Sequence, residues 1–498
     1  MTNPENTTDQ FKIRQNKLIS LEKNGIEPYP ANTEKTMDNL SAIKFFSDNE
    51  TITGEGSTTK PITVAGRITA LRTMGKASFC DINDNSGKLQ ILIKKDILKE
   101  DFNLLEQIDI GDFIESKGVL FRTRRGEITL EAANLRILSK ALRPPPEKWH
   151  GLKNIEQRYR QRYLDLIANA DVRKTFLERS KILTLIRNFF EKEGFIEVET
   201  PILVPIPAGA TARPFVTRHN TLNQEIYLRI ATELYLKRLI IGGFDKIYEI
   251  GRVFRNEGVD QSHNPEFSLL ESYEAYADYN KVMVMVEKLF EYLTTNLFGT
   301  TEINYNNELL SFSIPWRRIN LKEAILEQTK IDIDSVKTSE DLLEKTRKLG
   351  VDLGNEKRKD KILDKLISVF VEPTLTQPTF LIDYPVEMSP LAKNKPNNEN
   401  YVERFEGFVA GMEIANAFSE LNNPIIQRKR FENQKTTTAS YENEEIDRLD
   451  SDFLQALEYG MPPTGGLGLG IDRIIMLLTN QSSIRDVLFF PHMKSKED

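Results

Sequence analysis

Phe254-Arg255-Asn256-Glu257-Gly258, followed by His263-Asn264-Pro265-Glu266-Phe267, places a cation, a carboxylate, an imidazole and an aromatic ring along one short segment. Near the C-terminus stands a companion, Gly466-Leu467-Gly468-Leu469-Gly470-Ile471-Asp472-Arg473. Together they supply two arginines and a phenylalanine, the side chains that hold a flat base and a polyphosphate. Arginine forks match phosphate oxygens, and guanidinium planes stack on aromatic rings. The three glycines permit close backbone approach, and Arg473 falls at the start of a following helix. Other nucleotide-binding patterns fit poorly. Gly-x-Gly-x-Gly lacks the G-x-G-x-x-G spacing and has no βαβ unit after it, and no Walker A sequence occurs.

Composition sets the outer limits. A chain of 498 residues exceeds one ordinary domain, so two or three are expected. Hydrophobic content of 39% and charged content of 28% fit a globular enzyme, not a disordered or fibrous chain. No apolar run approaches membrane-span length, and residues 1–10 lack the apolar core of a signal peptide. The single cysteine, Cys80, cannot form an internal disulfide, which suits a reducing cytosol. His150, His219, His263 and His492 give no zinc spacing. A net charge of −7 argues against nonspecific coating of nucleic acid but leaves room for a local basic track. Arg122, Arg124 and Arg125 form one such run, and Arg158, Arg160 and Arg162 another. Taken alone, each reads more simply as a solvated charged face.

Residues 11–25 read as an amphipathic helix (Phe11, Leu18, Leu21) closed by Gly25, with Pro28 and Pro30 beyond. The polar stretch to about residue 60 reads as a loose lead-in. Five alternating runs follow: 62–64, 78–81, 89–93, 113–120 and 127–131. Turn signals at Asp84-Asn85-Ser86-Gly87, Gly111-Asp112 and Arg124-Arg125-Gly126 separate them. They suggest a small antiparallel barrel, with the OB-fold leading and a small sandwich as the alternative. Pro144-Pro145-Pro146 reads as a stiff spacer. From about residue 172 the chain reads as one large domain of helices and strands. Val172, Phe176, Leu183, Ile186 and Phe190 recur at helical spacing, and Ile182, Leu185 and Phe189 widen that face. So wide an apolar arc is covered on more than one side, and periodicity leaves open whether by its own domain or by a second subunit. The helix closes at Gly194, and residues 195–201 read as a strand ending at proline.

The two opening stretches resemble motifs 2 and 3 of the class II aminoacyl-tRNA synthetases, and the helix–strand–proline order resembles motif 1. The wording FRNEG…HNPEF is similar to the lysyl branch, and the resemblance runs over nearly the whole chain. It implies a multidomain α+β protein: an N-terminal helix and lead-in (1–60), a five-stranded OB-fold β-barrel that binds the anticodon (61–143), a linker (144–171) and a catalytic domain (172–498). That domain would hold an antiparallel sheet flanked by helices, with a helical insertion at about 322–372. The implied reaction is ATP-dependent activation of L-lysine to lysyl-adenylate, then transfer of lysine to the 3′ end of tRNA(Lys), releasing AMP and pyrophosphate. The implied enzyme is a cytoplasmic homodimer joined through motif 1. Such chemistry needs positioning and charge neutralisation more than a protein nucleophile.

By this resemblance Arg255, Glu257, His263 and Arg473 form the catalytic set. Arg255 grips the α-phosphate and Glu257 meets the adenine edge. His263 reaches the terminal phosphates with Asn264 beside it. Phe267 stacks under adenine, and Arg473 covers the opposite face and contacts the γ-phosphate. Glu406 and Glu413 would hold Mg2+, up to three ions per active site, against the ATP phosphates. Their spacing of seven gives one face of a helix but opposite faces of a strand, so spacing alone does not join them. The lysine pocket would comprise Gly209, Glu233, Glu271, Tyr273, Asn416, Phe418 and Glu420, with carboxylates for the ammonium and an apolar wall for its stem. Ala208 stands where the family usually has glycine, and Ala415 and Ala417 where some members do, which leaves the fine pocket shape open. Arg72, Phe79 and Gln90 match anticodon readers, a ring to stack a base and polar groups for its edges. Taken alone, Phe79 reads more simply as barrel core, since Ser78-Phe79-Cys80-Asp81 alternates and the barrel needs filling. Rival readings are weaker. A synthetase for aspartate or asparagine needs a cation facing its substrate. The paralogue that lysylates an elongation factor lacks the barrel. A catalytically dead RNA-binding relative would have lost Arg255, Glu257, Phe267, Glu413 or Arg473, and all are present.

Overall fold

The computed structural model describes residues 4–53, 60–146, 152–210, 212–354, 356–439 and 450–495. His150 and the adjoining part of the expected linker lie outside the described residues. The chain folds as two compact units, 1–153 and 154–498.

In the first unit the helix Pro4–Lys23 starts earlier than its apolar periodicity indicates and buries Leu21. The stretch expected to be a loose lead-in holds a second helix, Asn39–Thr53. Asp38 caps it by accepting from the backbone N–H of Ser41 at 2.7 Å. Ala42 and Phe46, one turn apart, are fully buried against the barrel. Two apolar anchors on one face suffice for docking, and the polar residues around them hid the pattern. The barrel itself is closed, in the order β1 (Ile62–Met74), β2 (Ala77–Asn83), β3 (Lys88–Lys94), β5 (Ile128–Ser139), β4 (Phe113–Arg122). Closure decides for a barrel over a sandwich. Pairing is antiparallel except between β3 and β5. Inward-facing Cys80, Ile82, Ile91, Ile93, Leu120 and Leu130 alternate with outward residues, as period-two pleating requires.

The second unit is built on a large sheet. Its strands run Arg317–Asn320, Thr379–Pro385, Asn398–Val409, Met412–Ser419, Thr464–Gly470, Glu266–Ala275, Lys246–Phe254 and Ile196–Glu197. The first pair and the last pair are parallel, and the rest antiparallel. Leu270, Leu467, Leu469, Ala417 and Phe405 face a core completed by the helices Tyr279–Phe298 and Ile471–Leu478. The helix Ala170–Lys192 places the C-terminal part of its apolar sets in that core, with Ile182, Ile186, Phe189 and Phe190 buried and Leu183 and Leu185 packed against them. Val172 and Phe176 are buried outside it, Phe176 against Phe489. Its wide apolar arc is therefore covered within its own unit. The strand expected over 195–201 contracts to Ile196–Glu197 at the sheet edge. Around 322–372 the helices Leu321–Thr329, Ser339–Lys348 and Lys359–Leu366 share a separate core with Leu381 and Phe408.

Two short helices, Ile155–Arg160 and Arg162–Ala168, lie in this unit, inside the stretch read from sequence as linker. Arg162 is wholly buried. It pairs with Asp165 at 2.5 Å and donates to the carbonyls of Arg485, Leu488 and Phe489. Arg158 also pairs with Asp165. The expectation of a solvated basic face over 158–162 therefore fails, because the guanidinium fork is satisfied from inside. Among the described residues no helix is long and apolar enough to cross a membrane.

Candidate active site

The face of the sheet opposite the core carries Phe267, Glu271, Tyr273, Glu406, Glu413, Asn416 and Phe418, and loops and helix starts around it bring the remaining candidates. Register explains why. Tyr273, Gly466 and Phe418 form one cross-strand row, and Glu271, Gly468 and Asn416 the next. Alternation turns Leu467 and Leu469 into the core and leaves Gly466, Gly468 and Gly470 as a bare strip between two rows of functional side chains. A methyl group at Gly466 would lie 1.8 Å from Glu420 Oε1, so that glycine is demanded by the pocket above it. One at Gly468 would meet only the Asn416 carbonyl oxygen, at an ordinary contact distance of 3.7 Å.

At one end of the strip lie the groups expected to meet nucleotide. The Arg255 guanidinium sits over the Phe267 ring, 5.1 Å from its centroid. Arg473, in the first turn of the helix Ile471–Leu478, donates to the Glu413 carbonyl at 2.8 Å and reaches its carboxylate at 3.2 Å. Its other arm meets His263 Nε2 at 3.3 Å. Arginine can only donate, so Nε2 accepts there and the ring proton falls on Nδ1, which faces Asp260 at 2.9 Å. Asn264 is engaged by backbone on both sides, accepting from His492 N–H and donating to the Glu266 carbonyl. It thereby clamps the loop. Glu257 stays exposed between the two motif strands.

At the other end lies a buried acid pocket. Glu233 opens the helix Glu233–Ile241, Glu271 and Tyr273 come from the strand Glu266–Ala275, and Glu420 follows the strand Met412–Ser419; all four are buried. Tyr273 donates to Glu271 at 3.4 Å, and the Thr232 N–H points at the same carboxylate. Gly209 adopts φ +94° and brings its loop against Glu233; a β-carbon there would lie 3.4 Å from Glu233 Cβ and 3.0 Å from Ala231 Cβ. Burial, then repulsion from Glu233, pushes the Glu271 carboxyl up to about 7. Burial pushes Glu420 up as well, against the pull of Lys237.

Sequence reading missed Lys237. It is wholly buried, pairs with Glu233 at 2.6 Å, contacts Glu420, and lies 5.5 Å from the Phe418 ring centroid. Burial opposes its charge, but Glu233 and Glu420 outweigh it and raise its pKa. The available signal was its spacing, Glu233 to Lys237 at i,i+4 on a helix, which reads as an ordinary surface pair.

Glu406 and Glu413 meet through a β-bulge. Gly407 pairs with Ala415, but Phe408 pairs with Glu413, so Ile414 is the extra residue. Ile414 and Ala415 both turn into the core, and Glu413 is re-aimed to the face of Glu406 and Asn416. The Glu406 carboxylate is held by the Tyr384 hydroxyl at 2.7 Å and by Arg404. Burial raises its pKa, Arg404 draws it back and Glu413 adds to the rise, leaving it at about 7. A buried acid raised beside a second acid fits a cation between them. Among the described residues no three His, Cys, Asp or Glu group as metal ligands, and Mg2+ needs only one or two carboxylates beside phosphate.

On the barrel, Phe79 lies outside the core, half-buried, beside Arg72 in register. The neighbouring inward positions are Ser78 and Cys80. Gln90 pairs with Asp81, which also draws Arg72 to 3.3 Å, and Thr129 donates to the Gln90 carbonyl at 3.0 Å. Arg72, Phe79 and Gln90 thus share one face of the barrel wall, with Arg72 exposed, Phe79 half-buried and Gln90 buried beneath them.

Known proteins match the same two parts. Residues 154–494 match the family model for class II tRNA synthetases (D, K and N), and residues 62–138 that for an OB-fold nucleic acid binding domain. The chain is similar to the lysine–tRNA ligase of Moorella thermoacetica, 47% identical over 495 residues and 99% of both chains. It is also similar to those of Dehalococcoides mccartyi (50% over 488 residues, 97% of both) and Carboxydothermus hydrogenoformans (50% over 487 residues, 98% of both).

Proposed function

The chain belongs to the class II tRNA synthetases (D, K and N), and from that premise we propose that it activates L-lysine with ATP and transfers it to the 3′ end of tRNA(Lys). One observation carries the choice of lysine: three buried carboxylates, Glu233, Glu271 and Glu420, converge at the end of the glycine strip. An aspartate or asparagine site needs a cation free to meet the substrate. The cation present, Lys237, is already shared by Glu233 and Glu420. The excess charge is negative and suits an ammonium.

In this reading the substrate stem lies along Phe418, its ammonium meets Glu420, Glu271 and Tyr273, and its other polar end meets Asn416 and the backbone at Gly209. Arg255 and Arg473 bind the phosphates, with His263 and Asn264 bordering them. Phe267 carries adenine, and Glu257 meets its edge. Arg255 neutralises charge that develops at the α-phosphorus as the lysine carboxylate attacks and pyrophosphate leaves. Glu406 and Glu413 would hold Mg2+, which supplies further neutralisation of the phosphate charge. Arg72, Phe79 and Gln90 read the anticodon.

A homodimer is supported by the short edge strand at 196–197 and by exposed Ile196, Ile202, Leu203, Val216 and Leu222 nearby in sequence. A cytoplasmic site accords with the lone thiol. The domain division read from sequence, 61–143 and 172–498, is retained, with 154–171 added to the catalytic part.

The test is amino-acid-dependent ATP–pyrophosphate exchange with Mg2+ across the twenty amino acids. Exchange with lysine alone is expected. Exchange with aspartate or asparagine in its place would overturn the pocket assignment while leaving the family intact.

A further inference from the structure

Lys237 is a cation sealed inside a pocket built to receive a cation. Its ammonium touches Glu233 and Glu420 from the helix Glu233–Ile241, and it is not among the atoms nearest a β-carbon at Gly466 or Gly468. Lys237 takes Oε2 of Glu420, and Oε1, fully buried, has no hydrogen-bond partner. Oε1 of that residue lies directly over Gly466. Glu420 is therefore tethered by charge on its Lys237 side and left open as an acceptor on the pocket side.

We propose that Lys237 is a positioning residue for substrate recognition, offsetting the charge of the cluster and aiming Glu233 and Glu420 so that an incoming ammonium meets them in place. The inference rests on the lysine reading given above. Three carboxylates packed together without a partner cannot all stay ionised, because each added charge raises the cost of the next. One internal ammonium offsets part of that repulsion permanently. The remaining negative charge is left for the substrate. The groups that face the cluster are Glu233 and Lys237 from the helix, Glu271 and Tyr273 from the central strand, Glu420 after the neighbouring strand, and Arg255 at longer range through Glu271. Without Lys237 the cluster would hold its protons more tightly at neutral pH, and lysine would have to displace them at greater cost.

The experiment is lysine-dependent ATP–pyrophosphate exchange by the full chain between pH 6.5 and 9, with Lys237→Met, Lys237→Arg and the double variant Lys237→Met/Glu233→Gln. In Lys237→Met the KM for lysine is expected to rise about 100-fold at pH 7, with the KM for ATP changed less than about threefold. The acid limb of kcat/KM for lysine should move up by about one pH unit or more, each unit being a tenfold change. Lys237→Arg should keep the limb in place. The double variant removes one anion with the cation, so its limb should return toward that of the unaltered protein even with a raised KM; it also carries the test if Lys237→Met does not fold. Equal rises in both KM values, or an unmoved limb in a folded variant, would overturn the inference alone. No lysine-dependent exchange by the unaltered protein would overturn the functional reading and the inference with it.

Discussion

The two ends of the glycine strip solve opposite problems with similar charges. At the acid end the ionisable groups are buried, and one cation, Lys237, is built in permanently. At the phosphate end His263 is exposed and Glu413 half-buried, and the cationic Arg473 is in contact with both. A desolvated charge discriminates, because any ligand that fails to match it leaves it unpaired. An accessible charge can exchange its protein partner for a phosphate oxygen at small expense, since exposed pairs are worth about 0–1 kcal/mol. On the function proposed, specificity would belong to the dry end and transition-state stabilisation to the wet one.

The largest effect should separate the two ends cleanly. Arg255→Ala removes the charge placed nearest the expected α-phosphate, and pyrophosphate exchange should fall about 1000-fold or more, in kcat. tRNA binding by filter retention should stay nearly unchanged. Exchange at the level of the unaltered protein would remove Arg255 from the mechanism. At the dry end, Glu271→Gln keeps the shape but not the charge. The KM for lysine should rise about 100-fold while that for ATP moves little. Parallel changes in both would dissolve the division between the ends.

The pH dependence sharpens the same contrast. Glu271 is raised to about 7 by burial and by Glu233. Its protonated form is favoured in the empty folded chain, so its contribution to stability is complete below the unfolded value near 4.5 and is lost as pH rises through about 7. Lysine binding demands the ionised form. Below pH 7 the KM for lysine should therefore rise toward about tenfold per pH unit. Lysine should raise Tm more at pH 8 than at pH 6, as a thermal melt with and without lysine would show. A flat profile would mean that the carboxylate is already ionised in the empty pocket.

Periodicity made much of this legible and local geometry hid the rest. The barrel strands alternate, and the odd–even split of Gly466-Leu467-Gly468-Leu469-Gly470 already separates a bare face from a core face. What sequence could not show are events that break a period or reverse an expectation of exposure. Spacing left Glu406 and Glu413 unjoined, because a single extra residue, Ile414, reverses which face Glu413 takes. Arg162 and Lys237 look like surface cations in a charged segment, and only tertiary packing buries them. The helix Asn39–Thr53 went unseen because Ala42 and Phe46 carry its docking amid polar neighbours. Phe79 shows the reverse: an aromatic residue whose strand suggested core lies on the outer face, because Ser78 and Cys80 take the inward positions.

That position makes Phe79 the site of the smallest predicted effect and the one most separate from the catalytic sheet. A half-buried ring beside Arg72 and Gln90 offers a stacking surface bordered by groups able to bond base edges. Stacking of one base is worth about 1–3 kcal/mol. Phe79→Ala should therefore raise the KM for tRNA in aminoacylation by about tenfold. Because the ring fills no core space, Tm should hardly move, and lysine-dependent pyrophosphate exchange without tRNA should be unaffected. A fall in exchange would show that the ring acts on the first half-reaction. A large fall in Tm would mean that Phe79 is needed for barrel packing and that its outward position has been misread. A change confined to the tRNA step would make this patch the third region of the molecule, one that recognises its ligand by shape and stacking instead of by buried or exposed charge.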